Sequence, residues 1–157
     1  MVKIANMAQI VNVIAPILTR GDDLLKQSIY YAFRMIAQRG HGLALQPAVT
    51  APTYDASRYG PVPTLDAAAV LNDDELSVFL VNRNIDEDLC VTISFSDALQ
   101  EVISAEILSG AGAAIANTWD EPDLLVSEPF NGLAINDGAI TATLPPMSCV
   151  AATLRVS

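Results

Sequence analysis

Residues 2–14 read VKIANMAQIVNVI, a near-continuous apolar run with the amides of Asn6, Gln9 and Asn12 set into it. A run of this kind suits a strand buried on both faces, as in a parallel sheet. The segment Leu24 to Arg39 follows and reads as a helix. A strand followed by a crossover helix is the repeating unit of α/β barrels, and one unit cannot close a barrel. The opening forty residues therefore predict the end of something larger, with partner strands encoded elsewhere.

The helix has readable ends. Asp22 or Asp23 is placed to cap its N-terminus and to complement the helix dipole. Leu25, Ile29, Phe33 and Ile36 recur at helical spacing and predict one buried stripe, which Tyr30, Tyr31 and Met35 widen. Gly40-His41-Gly42 stops the helix. So broad an apolar face calls for cover on more than one side.

Beyond Leu43 the period changes from 3.6 to 2. Short strands are expected at Leu43–Val49, Thr64–Leu71, Leu76–Asn82, Leu89–Phe95, Gln100–Leu108, Ile140–Leu144 and Cys149–Val156. In the last of these, Val150, Ala152, Leu154 and Val156 share one face. Asn136-Asp137-Gly138 is a tight-turn signal. Ala51–Pro63 and Ser109–Asn131 read as long loops. Many short strands with turns between them describe an antiparallel β-sandwich. The expected fold is mainly β: residues 1–40 form one βα unit, and residues 41–157 form a sandwich.

At 157 residues and 52% hydrophobic content, the chain has ample material for a core. Its mean hydropathy of +0.37 is high, and part of that apolar surface is expected to face other protein. No run reaches the ~18–20 apolar residues that cross a bilayer. The net charge of -10 speaks against nucleic acid, because neutralising phosphates takes clustered Lys and Arg. An acidic cytoplasmic protein without a secretory leader is the expectation. Cys90 and Cys149 show no metal-ligand spacing; buried thiols are the default reading, and a disulfide between them is the alternative.

Several stretches resemble one family in order and along nearly the whole chain. Residues 2–17, VKIANMAQIVNVIAPI, resemble the last barrel strand of the family-51 glycoside hydrolases, the α-L-arabinofuranosidases. The likeness continues through QSIYYAF at 27–33, VPTLDAAAV at 62–70, LSVFLVNRN at 76–84, ANTWDEPDLLV at 116–126 and LPPMS at 144–148. It implies a (β/α)8 barrel followed by a jelly-roll type sandwich, with this chain supplying the last βα unit and the sandwich. It implies further that strands from the start of the longer polypeptide join that sandwich. The implied activity is a retaining hydrolysis of terminal arabinofuranosyl residues, with no cofactor.

Retaining glycosidases use two carboxyl groups about 5–5.5 Å apart. The resemblance puts both glutamates on earlier barrel strands, so no catalytic residue is expected in this chain. Glu75, Glu87, Glu101, Glu106, Glu121 and Glu128 read as solvated surface carboxylates. One site residue carries over: Gln9 stands where the family places a glutamine that hydrogen-bonds the arabinose ring. An amide offers both a donor and an acceptor to sugar hydroxyls. Without the resemblance, Gln9 reads as a buried amide satisfied by neighbouring backbone. Asn6 and Asn12 read as structural amides. His41 reads as a dipole partner at the helix end. Trp119, Tyr54 and Tyr59 are candidates for a sugar-stacking platform or, more commonly, for packing.

Two classes of function follow. In the first, the chain is part of a glycosidase, bracing the barrel and contributing Gln9. Its partners are then an arabinose-containing oligosaccharide and the missing barrel portion, with homo-oligomers expected. In the second, a free-standing sandwich binds glycans or proteins. A free-standing module gains nothing from a doubly buried strand, whose bare edges invite aggregation.

Overall fold

The computed structural model describes residues 5–157. Its centre is a six-stranded antiparallel sheet facing a three-stranded one. The chain enters through a hairpin, β1 (Ile17–Arg20) and β2 (Asp23–Lys26), and then the helix α1 (Ser28–Arg39). Next come β3 (Leu43–Leu45), the small hairpin of β4 (Thr53–Asp55) and β5 (Pro61–Pro63), β6 (Leu65–Asn72) and β7 (Glu75–Asn82). β8 (Leu89–Ser94), β9 (Leu99–Leu108), β10 (Glu128–Pro129), β11 (Leu133–Asn136), β12 (Ala139–Leu144) and β13 (Ser148–Val156) complete it. The larger sheet runs β10-β9-β13-β7-β6-β3, and the smaller runs β11-β12-β8.

Alternation along the strands builds the core. Leu76, Val78 and Leu80 of β7 and Val150, Ala152 and Leu154 of β13 point between the sheets, where they meet Ile140, Ala142 and Leu144 of β12. The face shared by Val150, Ala152, Leu154 and Val156 is buried as its spacing predicts. Yet β7 and β13 are buried on their other face too. Phe79 and Ala151 point away from the sandwich and are covered by Met35 of α1. This is why the two central strands read as almost unbroken apolar runs although the sheet is antiparallel.

The helix differs from its expectation at both its start and its face. It begins at Ser28, because residues 23–26 pair with β1 as a strand. Neither Asp22 nor Asp23 caps it; Gln27 occupies the cap position without a side-chain capping bond. The buried face is Tyr31 and Met35, one turn apart. Ile29, Phe33 and Ile36 are 49%, 40% and 50% exposed, and Leu25 is buried on β2 instead. A helix with apolar residues on opposite sides cannot cover both against one sheet. The helix ends as expected at Gly40, whose N–H bonds the carbonyl of Ile36.

The opening run also departs from the expected strand. Residues 2–4 lie outside the described residues. Residues 5–14 pass through bends and turns with one isolated bridge, Val11 to Ile17, and form no strand. Ladder hydrogen bonds define a strand, and no flanking strand reaches this segment among the described residues. Elsewhere the expected strands form, with Leu43–Leu45 shorter than expected; the structure adds a small hairpin inside the loop 51–63, β10 inside the expected loop 109–131, and β11, for which no strand was expected. Asp137 and Gly138 take φ values of 49° and 76°, the left-handed pair that a two-residue hairpin loop requires.

Gly42 is the tightest backbone approach in the connection from α1 to β3. Its φ is 129°, and a Cβ there would lie 2.4 Å from the carbonyl oxygen of Leu71. Gly138 has open space around it and only its φ to lose. Gly42→Ala is therefore expected to destabilise the chain clearly more than Gly138→Ala, whose cost is about 1–2 kcal/mol. Urea unfolding of both variants checks the order.

Candidate functional site

The residue singled out by the sequence, Gln9, lies in the segment that leads into the β1–β2 hairpin. It is exposed, not buried among backbone partners. Its apolar neighbours are exposed as well: Ile10 by 67%, Val13 by 80% and Ile14 by 74%. The chain then turns sharply. Asn12 and Val13 have φ values of 63° and 60°. Asparagine visits this region readily, whereas for a β-branched residue it is a true outlier.

Polar bonds hold the turn. The Asn12 N–H donates to the carbonyl of Ile17 at 2.7 Å, and Ala15 N–H donates to the carbonyl of Asn12 at 3.1 Å. The Asn12 side chain receives the N–H of Thr19 at 2.7 Å and donates to the Thr19 hydroxyl at 3.0 Å. Behind the turn, Gln27 ties the start of α1 to it: its N–H reaches the carbonyl of Pro16, and its side-chain amide that of Ala15.

The hairpin in turn is fastened to the long loop 109–127. The guanidinium of Arg20 lies 4.5 Å from the ring centre of Trp119. The Asn117 amide donates to the carbonyls of Lys26 and Leu125, both at 2.8 Å, and accepts from the Leu125 N–H at 2.6 Å. Trp119 is thus engaged by an arginine, while Tyr54 and Tyr59 sit exposed on and beside the β4–β5 hairpin. The three rings form no stacked pair; among the described residues the close aromatic pair is Tyr30 with Tyr31. The sequence reading missed Asn117 altogether, and an asparagine in a polar loop carries no signal that it bridges two segments.

A second polar cluster lies where α1 meets β9. Arg34 and Arg39 converge on the carboxylate of Glu106, Arg39 at 2.6 Å, and Ser127 bonds both Arg34 and Glu106. Of the six glutamates read as surface carboxylates, Glu106 is the clear departure: its side chain is mostly buried. Glu101 pairs with Arg155 at 3.1 Å in the open. Burial alone would push the Glu106 carboxyl up. The hydrogen bond and charge of Arg39, the charge of Arg34 and the bond from Ser127 outweigh it and hold the group below its ordinary value. One carboxylate serves two guanidiniums, so Arg34 Nε and Arg39 Nε and Nη1 have no acceptor among the described residues.

An apolar groove of about 370 Å³ opens between the sheets on the side of β8. Leu65, Ala67 and Ala69 of β6 line it from one sheet, and Leu89, Val91 and Ile93 of β8 from the other. It exists because three strands cannot cover six. β8 borders it as an edge strand.

The same fold occurs in solved glycoside hydrolases. One is a family-51 α-L-arabinofuranosidase from Bifidobacterium longum, with a TM-score of 0.85 and 31% identity, matching 94% of this chain and 30% of that one. The chain belongs to the family of α-L-arabinofuranosidase C-terminal domains, whose model matches residues 1–148. It is 37% identical over 150 residues to an intracellular exo-α-(1→5)-L-arabinofuranosidase of Streptomyces lividans, covering 94% of this chain and 23% of that protein. It is 34% identical over 154 residues to an exo-α-(1→6)-L-arabinofuranosidase of Bifidobacterium longum, covering 94% of this chain and 29% of the relative. The chain thus spans less than a third of the length of these relatives.

Glu106→Gln tests the cluster that docks the helix. A carboxyl held low in the folded state adds stability above its unfolded value, and that contribution is lost as pH falls through the folded value. The variant is expected to lose about 1–2 kcal/mol at pH 7, less than a fully buried pair because water reaches part of the cluster. Its difference from the parent chain should shrink as the pH is lowered below 4.5, the ordinary value of this group. Thermal unfolding across that range checks the sign.

Proposed function

We propose that this chain is the C-terminal part of a retaining α-L-arabinofuranosidase that removes terminal arabinofuranosyl residues from arabinose-containing glycans. Residues 1–40 belong to the end of its (β/α)8 barrel, and residues 41–157 are the sandwich that braces it. The relatives are named for (1→5) and (1→6) cleavage, so the terminal arabinofuranosyl unit is what those names share. The working compartment is the cytoplasm, in line with the intracellular naming of the Streptomyces lividans relative.

The observation that carries this reading is the apolar surface left over once the sandwich is packed. Ile29, Phe33 and Ile36 of α1, together with Ile10, Val13 and Ile14, remain exposed. A helix apolar on two opposite sides suits a position between two layers. The sandwich fills one, and the barrel portion fills the other. Strands from the start of the longer polypeptide fit the groove beside β8, where a free edge and an apolar trench lie together. The groove's apolar lining suits packed protein better than a soluble glycan, which disfavours a free-standing binding module.

Chemistry divides accordingly. The nucleophile and the acid/base glutamate belong to the barrel portion, about 5–5.5 Å apart. From this chain, Gln9 presents its amide to the sugar, donating to one hydroxyl and accepting from another. The site of such a barrel lies at the C-terminal ends of the strands, and Gln9 precedes the turn that ends its segment.

The chain alone is expected to give no turnover of 4-nitrophenyl α-L-arabinofuranoside, and turnover by the isolated chain overturns the assignment. Supplying the barrel portion should restore activity, and Gln9→Ala in the assembled enzyme should lower kcat/KM by about tenfold or more. In isolation the chain should self-associate through its uncovered helix face. Phe33→Glu should shift it toward monomer in sedimentation velocity, whereas a sharp monomer for the unsubstituted chain counts against the exposed stripe as an interface.

A further inference from the structure

The turn after Gln9 is held more firmly than an exposed connection requires. Asn12 makes five hydrogen bonds: two through its backbone, to Ile17 and Ala15, and three between its side chain and Thr19. The third of these runs from the Thr19 hydroxyl to Asn12 Oδ1 at 3.2 Å. Together they keep Val13 in the left-handed region, at φ 60°, against the preference of a β-branched side chain. Backbone in that state persists only where surrounding contacts over-determine it, and such places cluster at functional sites. The strain here sits four positions after the proposed sugar contact.

We infer that Asn12 and Thr19 are positioning residues: the lock between their side chains sets the direction of the backbone through Gln9 and so aims its amide at the sugar. The inference rests on the reading of Gln9 as a substrate contact. Two residues, Ile10 and Val11, separate Gln9 from Asn12, so their Cα atoms lie within about 10 Å at full extension. Val11 between them is bridged to Ile17, which belongs to the same hairpin as Thr19. A lost lock therefore lets the segment swing about the Val11–Ile17 bridge, and a misplacement of about 1 Å at a contact can cost up to a hundredfold in rate.

The far side of the lock is anchored in the sandwich. Thr19 is followed by Arg20, which stacks on Trp119, and the hairpin ends at Lys26, whose carbonyl Asn117 holds. The loop 109–127 thus fixes the hairpin, the hairpin fixes Thr19, and Thr19 fixes Asn12. By this route a domain with no catalytic group bears on the geometry of the sugar site.

The test uses the enzyme assembled from this chain and the barrel portion, assayed on 4-nitrophenyl α-L-arabinofuranoside. Asn12→Ala and Thr19→Val should each lower kcat/KM by about tenfold. Thr19→Ser, which keeps the hydroxyl, should restore most of the loss. In a Gln9→Ala background, Asn12→Ala should cost little more, because both act through one contact. A full, additive loss in that background assigns Asn12 a merely structural role and overturns the proposal. So does parent-like activity of Asn12→Ala when hydrogen exchange shows that the 12–19 turn has loosened. Parent-like activity of Gln9→Ala is a different failure: it removes the sugar contact itself, and with it the need for the lock.

Discussion

Everything in this molecule hangs on the double burial of its two central strands. β7 and β13 fill the sandwich with one face, and with the other they need a lid against water. α1 is that lid, with Tyr31 and Met35 turned inward and Met35 set on Phe79 and Ala151. Apolar burial of this kind contributes about 25 cal/mol per Å², and it dictates where the helix must lie. Arg34, Arg39 and Glu106 then fix the helix laterally, because a charge pair has a direction that apolar contact lacks. With the helix so placed, Ile29, Phe33 and Ile36 have no choice but to face outward.

The same placement explains how the β1–β2 hairpin and the turn at Asn12 come to be where they are. Gln27 ends the connection by holding both Ala15 and Pro16 at the start of α1. Asn117 and Trp119 take the hairpin from its other side. A short polar framework therefore spans from the sandwich loop to the exposed segment around Gln9. It consists of hydrogen bonds and the Arg20–Trp119 contact, with Ala15 and Leu25 buried beneath it.

The sandwich was legible in the residues because its signals are local. Alternation in Leu89–Ser94, the shared face of Val150, Ala152, Leu154 and Val156, and the Asp137-Gly138 turn depend on the strand period and on φ alone. The apolar run at 2–14 forms no strand over its described residues 5–14, because no flanking strand among the described residues pairs with it. Leu24 and Leu25 continued the helical period backward, yet pairing with β1 wins there, since Leu25 meets Leu18 across a hairpin that Gly21 permits at φ 61°. The helix stripe was misjudged for a related reason: apolar residues stood on both sides, and which side is covered first is decided by tertiary packing. Glu106 looked like any surface carboxylate, because its two arginines lie 67 and 72 positions away in sequence. The partners of Asn12 and Asn117 were hidden in the same way, since an amide's hydrogen bonds leave no periodic trace.

One topological fact bears on how such a domain comes into being. β13, the strand latest in chain order, lies in the middle of the large sheet between β7 and β9. During synthesis, from the N-terminal side, those two strands emerge with facing edges and a gap between them. Neither can finish its ladder until residues 148–156 have left the ribosome and threaded into place. Both edges of the gap thus stay open until β13 arrives, and pairings so distant in sequence form slowly.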